Sequence, residues 1–227
     1  MNEFFENTIF FGAAITLLAY EIGLILRKKF KCAIVNPLLF AIICIIGTLL
    51  ILDIDYETYN KSAQYISYFL TPATVSLAVV LYRKLTLLKN NLKAVIAGIV
   101  SGVLASFGSI YLMSMLFGLS YKEFVTLVPK SITMAIGVGL SEELGGIVTI
   151  TVASIVITGI FGNVIAEIVY KLARINEPIA KGLALGTAAH AIGTTKAVEL
   201  GETEGAMSSL ALVVAGILTV IFASFFV

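Results

Sequence analysis

Five stretches of the chain, residues 32–52, 62–82, 94–121, 144–166 and 205–227, each run for at least twenty-one residues without an Asp, Glu, Lys or Arg. A helix rises 1.5 Å per residue, so about 20 apolar residues cross the hydrocarbon core of a bilayer. A sixth stretch, residues 7–26, is broken only by Glu21 near its end, which reads as interfacial. Lipid cannot satisfy backbone amides, and long uncharged runs meet that condition as helices. The expectation is an all-α polytopic membrane protein with about six full transmembrane helices.

Composition excludes the alternatives. With 59% hydrophobic and 13% charged residues, and a mean hydropathy of +1.03, a soluble domain could not hide its apolar surface. A net charge of +1 provides no concentrated basic face for nucleic acid. The N-terminus opens with Glu3 and Glu6 and lacks a basic region or a small-residue cleavage site, so its helix is expected to be retained. Cys32 and Cys44 have no Cys-x-x-Cys spacing and read as packing residues.

Two shorter uncharged runs, 131–141 and 182–195, flank the stretch 144–166. They hold 11 and 14 residues, too few to cross the core alone, and both are rich in Gly, Ser and Thr. They also repeat. Ala135-Ile136-Gly137, five residues, then Glu143-Leu144-Gly145 is matched by Ala191-Ile192-Gly193, five residues, then Glu199-Leu200-Gly201, at an offset of 56. The apolar words that follow, 156–161 and 213–218, match at 57, and fainter echoes lie upstream at 99–104 and 72–78. Irregular backbone at membrane depth must be buried in protein or line a watered cavity. Short, Gly-interrupted segments at matching places in two halves are the sequence pointer to a transporter's substrate site.

Loop charge sets the topology. Arg27, Lys28, Lys29 and Lys31 follow the first span, Arg83, Lys84, Lys89 and Lys93 follow the third, and Asp53, Asp55 and Glu57 follow the second. The positive-inside rule therefore puts the N-terminus outside. The next basic cluster, Lys171, Arg174 and Lys181, requires an odd number of crossings between 124 and 170. One full helix there, with the run near 129–143 entering and leaving on one face, yields two hairpin-plus-helix units of opposite orientation, an inverted repeat. Eight spans with parallel repeats is the rival arrangement. Residues 1–62 read as an N-terminal two-helix segment and 63–227 as a repeat-containing core.

His190 is the only histidine and sits in the second short run. It either pins a helix break through a hydrogen bond or carries a proton or contacts substrate, since imidazole titrates near neutrality. Lys196 either snorkels to water or, with Thr194 and Thr195, grips a carboxylate. Lys130 is the matching cation before the first run, where Ser131, Thr133 and Ser141 offer hydroxyls. Glu143 and Glu199 are equivalent by the repeat, which favours a shared task such as capping or lysine pairing. Glu202 and Glu204 open the last helix, where carboxylates complement the macrodipole. A coupling role for one of these carboxylates is the alternative. Pro72 and Pro129 punctuate, each removing an amide donor. Enzymology finds no foothold: one histidine cannot build a multi-histidine metal site, and no phosphate loop is present. No cofactor is expected.

The runs Pro129-Lys130-Ser131-Ile132-Thr133, Ser141-Glu142-Glu143-Leu144-Gly145-Gly146-Ile147 and 182–197 around His190 resemble the LrgB/CidB family, as do Asn36-Pro37-Leu38-Leu39 and 69–78. The resemblance covers nearly the whole chain. It implies a multi-pass protein of the bacterial inner membrane, called antiholin-like, paired with a small LrgA/CidA-type membrane partner and linked to control of murein hydrolase activity and autolysis. Plastid relatives look like glycolate and glycerate translocators and bacterial ones are associated with pyruvate uptake, which implies small 2-oxo or 2-hydroxy monocarboxylates. The chain departs from the pattern at Met134-Ala135, where Thr-Pro is common, and at Ala189, where Ser often precedes the histidine.

Two readings follow. One is a secondary transporter of small carboxylates of the pyruvate, glycolate or glycerate type. The other is a regulator of a holin-type pore without substrate turnover, which would oligomerise through a face such as Gly98-x-x-x-Gly102.

Overall fold

A computed structural model of the chain describes residues 10–30, 36–69, 72, 75, 76, 79 and 82–226. Those residues form helices joined by short turns, with no strand among them. The chain divides into two compact units, Met1–Ser76 and Leu77–Val227. The expected span over 62–82 is described only in part, since residues 70, 71, 73, 74, 77, 78, 80 and 81 lie outside the described residues, as do Cys32 and the first nine residues.

The first unit holds α1 (Phe11–Phe30), α2 (Pro37–Ile51), α3 (Tyr56–Ala63) and a 3₁₀ turn, Gln64–Phe69. The Ser62 hydroxyl accepts the Gly12 amide at 2.7 Å and Thr16 bonds the Tyr59 hydroxyl at 2.8 Å, tying α3 to α1. The uncharged run 32–52 becomes a helix of only 15 residues. Asn36 stops it short: its side chain accepts the Leu38 and Leu39 amides, and Pro37, lacking an amide, takes the first helical position.

In the second unit, α4 (Leu85–Asn90) precedes α5 (Leu92–Phe117), α6 (Tyr121–Leu127), a 3₁₀ turn (Val128–Ser131), α7 (Met134–Glu143), α8 (Val148–Leu172), α9 (Pro178–Leu200) and α10 (Glu202–Ala223). Helices α5, α8 and α10 are long and apolar enough to cross a membrane. Gly118 ends α5 in the left-handed region at φ 63°, a conformation that favours glycine. Ser120 and Glu123 then start α6 with a reciprocal capping box. The hydrogen bonds from Ser120, its amide first and then its hydroxyl, hold the Glu123 carboxyl below the usual carboxylate range.

The two short runs form hairpins. In α9 the dihedral angles leave the helical region at Ala189 (φ −125°, ψ 15°) and His190 (φ 41°, ψ −135°). A Cβ placed on Gly193 would lie 2.5 Å from the Leu185 carbonyl oxygen. In a continuous helix those residues would stand about 12 Å apart, so the chain doubles back at 189–190. The first run does the same. Ile132 and Thr133 are extended, and a Cβ on Gly137 would lie 3.3 Å from the Pro129 Cβ, again across eight residues.

Contacts along the long helices fix the directions of the hairpins. Along α5, Gly98 faces Leu183, Gly102 faces Thr187, Ser106 bonds Ser131, and Tyr111 packs edge-on against Phe124. Along α8, Thr151 bonds Thr126 and Ser141, Gly137 faces Ile155, Gly159 faces His190, and Glu167 meets Lys196. The hairpin 121–143 therefore enters from one end of these helices and the hairpin 178–200 from the other. Their turns meet near the midpoints of α5 and α8. Each packs on the helix that follows it: Thr151 of α8 holds the first, and Ser208 of α10, bonded to Thr194, holds the second.

Candidate functional site

Where the two turns approach, a cavity of about 1100 Å³ opens between α5, α8 and the first arm of α9. Its inner end holds Lys130 and Ser131 from the first turn, Ser106 from α5 and Thr158 from α8. Small residues on α5 make the space: a Cβ on Gly102 would lie 2.9 Å from the Thr187 hydroxyl, and one on Gly98 3.2 Å from Leu183. The Gly98-x-x-x-Gly102 face is thus packed against α9 of its own chain, which corrects its reading as an oligomer contact.

Lys130 sits in the second half of the 3₁₀ turn because Pro129 stands near its start and the extended pair Ile132-Thr133 stops it. Its ammonium donates to the Ser131 hydroxyl at 2.9 Å and to Ser106 at 3.3 Å. No described carboxylate lies within salt-bridge distance of it. A half-buried cation held only by hydroxyls is costly to desolvate, and an anion beside it removes that cost.

His190 lies behind this space. It is 3% exposed and does not line the cavity, although Ala188 does. Its Nε2 is 2.9 Å from the Ile155 carbonyl oxygen. A carbonyl can only accept, so Nε2 carries a proton and donates it. The ring fits because position 159 is glycine: a Cβ there would be 2.7 Å from Cε1. The His190 carbonyl accepts the Thr194 hydroxyl at 3.0 Å, and Asn163 donates to the Ile192 carbonyl at 3.0 Å. These bonds brace the start of the outgoing arm next to His190, a residue whose φ of 41° costs about 1–3 kcal/mol.

The remaining candidates spread over both hairpins. Thr194 is buried against Ser208, whereas Thr195 is exposed and returns its hydroxyl to Ile192. Lys196 pairs with Glu167 on α8 and reaches Glu199 at 3.8 Å. Thr194, Thr195 and Lys196 therefore do not converge on one cavity. Ser141 is fully buried and bonded to Thr151 at 2.7 Å, and Thr133 stands at the first reversal. Glu143 is exposed at the end of α7, and Glu202 pairs with Lys84 at 3.2 Å. Ser106, Thr158, Asn163, Glu167 and Ser208 escape the sequence reading. Each lies in a long apolar helix with no spacing to mark it.

Fold and site together define an all-helical membrane protein in which two half-length hairpins meet over a cavity with a cation at its inner end. The sequence assigns this architecture to a family. A family model described as LrgB-like matches residues 16–227, and the chain belongs to that family. It is 35% identical over 219 residues to the holin-like protein CidB of Staphylococcus aureus strain Mu50, covering 96% of this chain and 95% of that one. It is 36% identical over 215 residues to the antiholin-like protein LrgB of Bacillus mycoides, covering 94% of each. The holin-like CidB of Staphylococcus epidermidis is 33% identical over 219 residues. No solved structure matches the chain.

Proposed function

We propose that the protein is a secondary carrier of small monocarboxylates of the pyruvate, glycolate or glycerate type, and not an enzyme. The observation that carries this reading is Lys130, a half-buried ammonium without a counter-ion among the described residues, at the inner end of a cavity where two hairpin turns meet. A carboxylate of one negative charge matches it, with Ser106 and Ser131 as further donors. In this reading His190, Thr194 and Ser208 hold the second turn in place, and Lys196 with Glu167 anchors its outgoing arm. The carboxylates at Glu143, Glu199 and Glu202 serve as structural or coupling groups.

The same reading supplies the topology: six full spans, two re-entrant hairpins, and an inverted duplication of 56–57 residues within a core of 63–227 that follows a two-helix segment, 1–62. The opposite entry of the hairpins and their equal eight-residue reversals support it. The membrane is the bacterial inner membrane, and a small LrgA/CidA-type protein is the partner.

The names of the relatives favour a second reading. Holin-like and antiholin-like proteins suggest a regulator of a pore, acting on murein hydrolase activity and autolysis, in which the chain oligomerises or binds its partner without turnover. Uptake of labelled pyruvate, glycolate and glycerate into liposomes, with and without the partner and under a proton or sodium gradient, separates the two. Saturable uptake lost in Lys130→Met is expected of the carrier. No flux from folded protein in any condition selects the regulator.

A further inference from the structure

We infer that Thr158 selects, among small monoanions, those that carry a second oxygen on the carbon chain. This rests on the carboxylate reading of the Lys130 site and adds the part of the ligand that the ammonium does not touch.

Six hydroxyl residues line the cavity. Three spend their protons on their own helices: Ser101 donates to the Gly98 carbonyl at 2.9 Å, Ser109 to Ser106 at 2.8 Å, and Thr187 to Leu183 at 2.8 Å. Ser106 and Ser131 turn toward each other and Lys130. Thr158 remains. A helical threonine ordinarily returns its hydroxyl to a carbonyl one turn back, yet the hydroxyl of Thr158, half-buried on α8, bonds no described residue.

Its height along α8 is that of the gap between the turns. Ile155, one turn before, faces Gly137 of the first hairpin, and Gly159, the next residue, faces His190 of the second. Ser106 places the Lys130 ammonium at the same level on α5. A carboxylate held at Lys130 therefore directs the rest of a short acid toward α8, where Thr158 donates to an oxo group or bonds a hydroxyl. An unsubstituted acid displaces water from Thr158 and offers nothing in return. A buried polar group left unpaired is how a site rejects the analogue that lacks its partner. The neighbouring wall is apolar, Phe161 and Ile165, so a second carboxylate would meet no second cation there.

Purified full-length protein titrated with pyruvate, lactate and propionate, with apparent Kd taken from the ligand-dependent rise in Tm, tests the assignment. Wild type should bind pyruvate and lactate at least about tenfold tighter than propionate. Thr158→Val, equal in shape and lacking the hydroxyl, should bring the three to within about threefold by weakening the first two. Thr158→Ser should restore the preference, and the Tm without ligand shows that each variant is folded. A valine variant that weakens all three acids alike, or changes none, overturns the inference, as does a wild type that binds all three equally; in those outcomes the carboxylate site itself stands. A wild type that responds to no acid removes that site and the inference with it.

Discussion

The imidazole Nε2 of His190 lies 2.9 Å from the carbonyl oxygen of Ile155, which fastens the turn of the second hairpin to the middle of α8. The bond has room only because residue 159 is glycine, whose Cβ, were there one, would sit 2.7 Å from the ring. Gly159→Ala should therefore push the ring off its acceptor. The expected loss is about 1–3 kcal/mol, the range for overpacking a filled site. Denaturant unfolding in detergent checks it, and an unchanged midpoint would show that the ring is not held there.

Lys130 predicts the opposite sign for stability. Its ammonium is half-buried and faces hydroxyls only, so replacing it by the apolar, similarly long Met removes a desolvation cost. Lys130→Met should leave Tm unchanged or raise it while weakening carboxylate binding by tenfold or more, since a charged hydrogen-bonded contact is worth about 1.5–3 kcal/mol. A large fall in Tm would show that the charge is compensated within the fold.

Lys196 belongs to the other class of lysine. Its side chain is 11% exposed and paired with Glu167, with Glu199 as a second neighbour at 3.8 Å. Glu167→Gln leaves an ammonium nearly enclosed, but the glutamate is 45% exposed and Glu199 remains. Solvent screening therefore limits the loss to about 1 kcal/mol. A double-mutant cycle of Lys196→Met and Glu167→Gln should return a coupling of that size, and additive effects would remove the pair from the account.

The capping box at Ser120 and Glu123 makes a pH prediction. Because hydrogen bonds lower the Glu123 carboxyl in the folded state, its contribution is fully present above the ordinary carboxylate pKa. It is lost as pH falls through the lowered folded value. Ser120→Ala removes the hydroxyl and keeps the amide, so the Glu123 titration, followed by NMR of a selectively labelled carboxyl, should move part of the way back toward the ordinary range. A titration unmoved by the substitution would assign the shift elsewhere.

How much of this was legible in the sequence differs from one element to the next. The long uncharged runs carry α5, α8 and α10 because bilayer thickness converts length directly into a span. The short runs around Thr133 and His190 were legible as interruptions because glycine, hydroxyls and insufficient length coincide there. The Asn36-Pro37 signal was also present, a cap followed by proline, but counting charges hides it, so α2 reads too long. Gly98 and Gly102 illustrate the limit. Their spacing announces close packing and says nothing about which helix packs, and α9 of the same chain occupies the place. Ser106, Thr158 and Glu167 acquire meaning only when a second element stands opposite them, and that pairing has no period along the chain.

Two glycines of the hairpins separate close approach from helix propensity. A Cβ on Gly193 would meet the Leu185 carbonyl at 2.5 Å and the Ala189 Cβ at 2.7 Å, both across the reversal, and neither is the far end of a flexible side chain. Gly193→Ala must spread the arms that hold His190 at their turn. Gly139 in α7 has nothing within 4 Å of the corresponding position, so Gly139→Ala keeps the packing and gains up to about 1 kcal/mol from the lower backbone entropy of the unfolded chain. Tm should fall in the first variant and hold or rise in the second. If α9 were instead one straight helix across 189–190, Gly193 would face no backbone eight residues back, and the two substitutions would move Tm in the same direction.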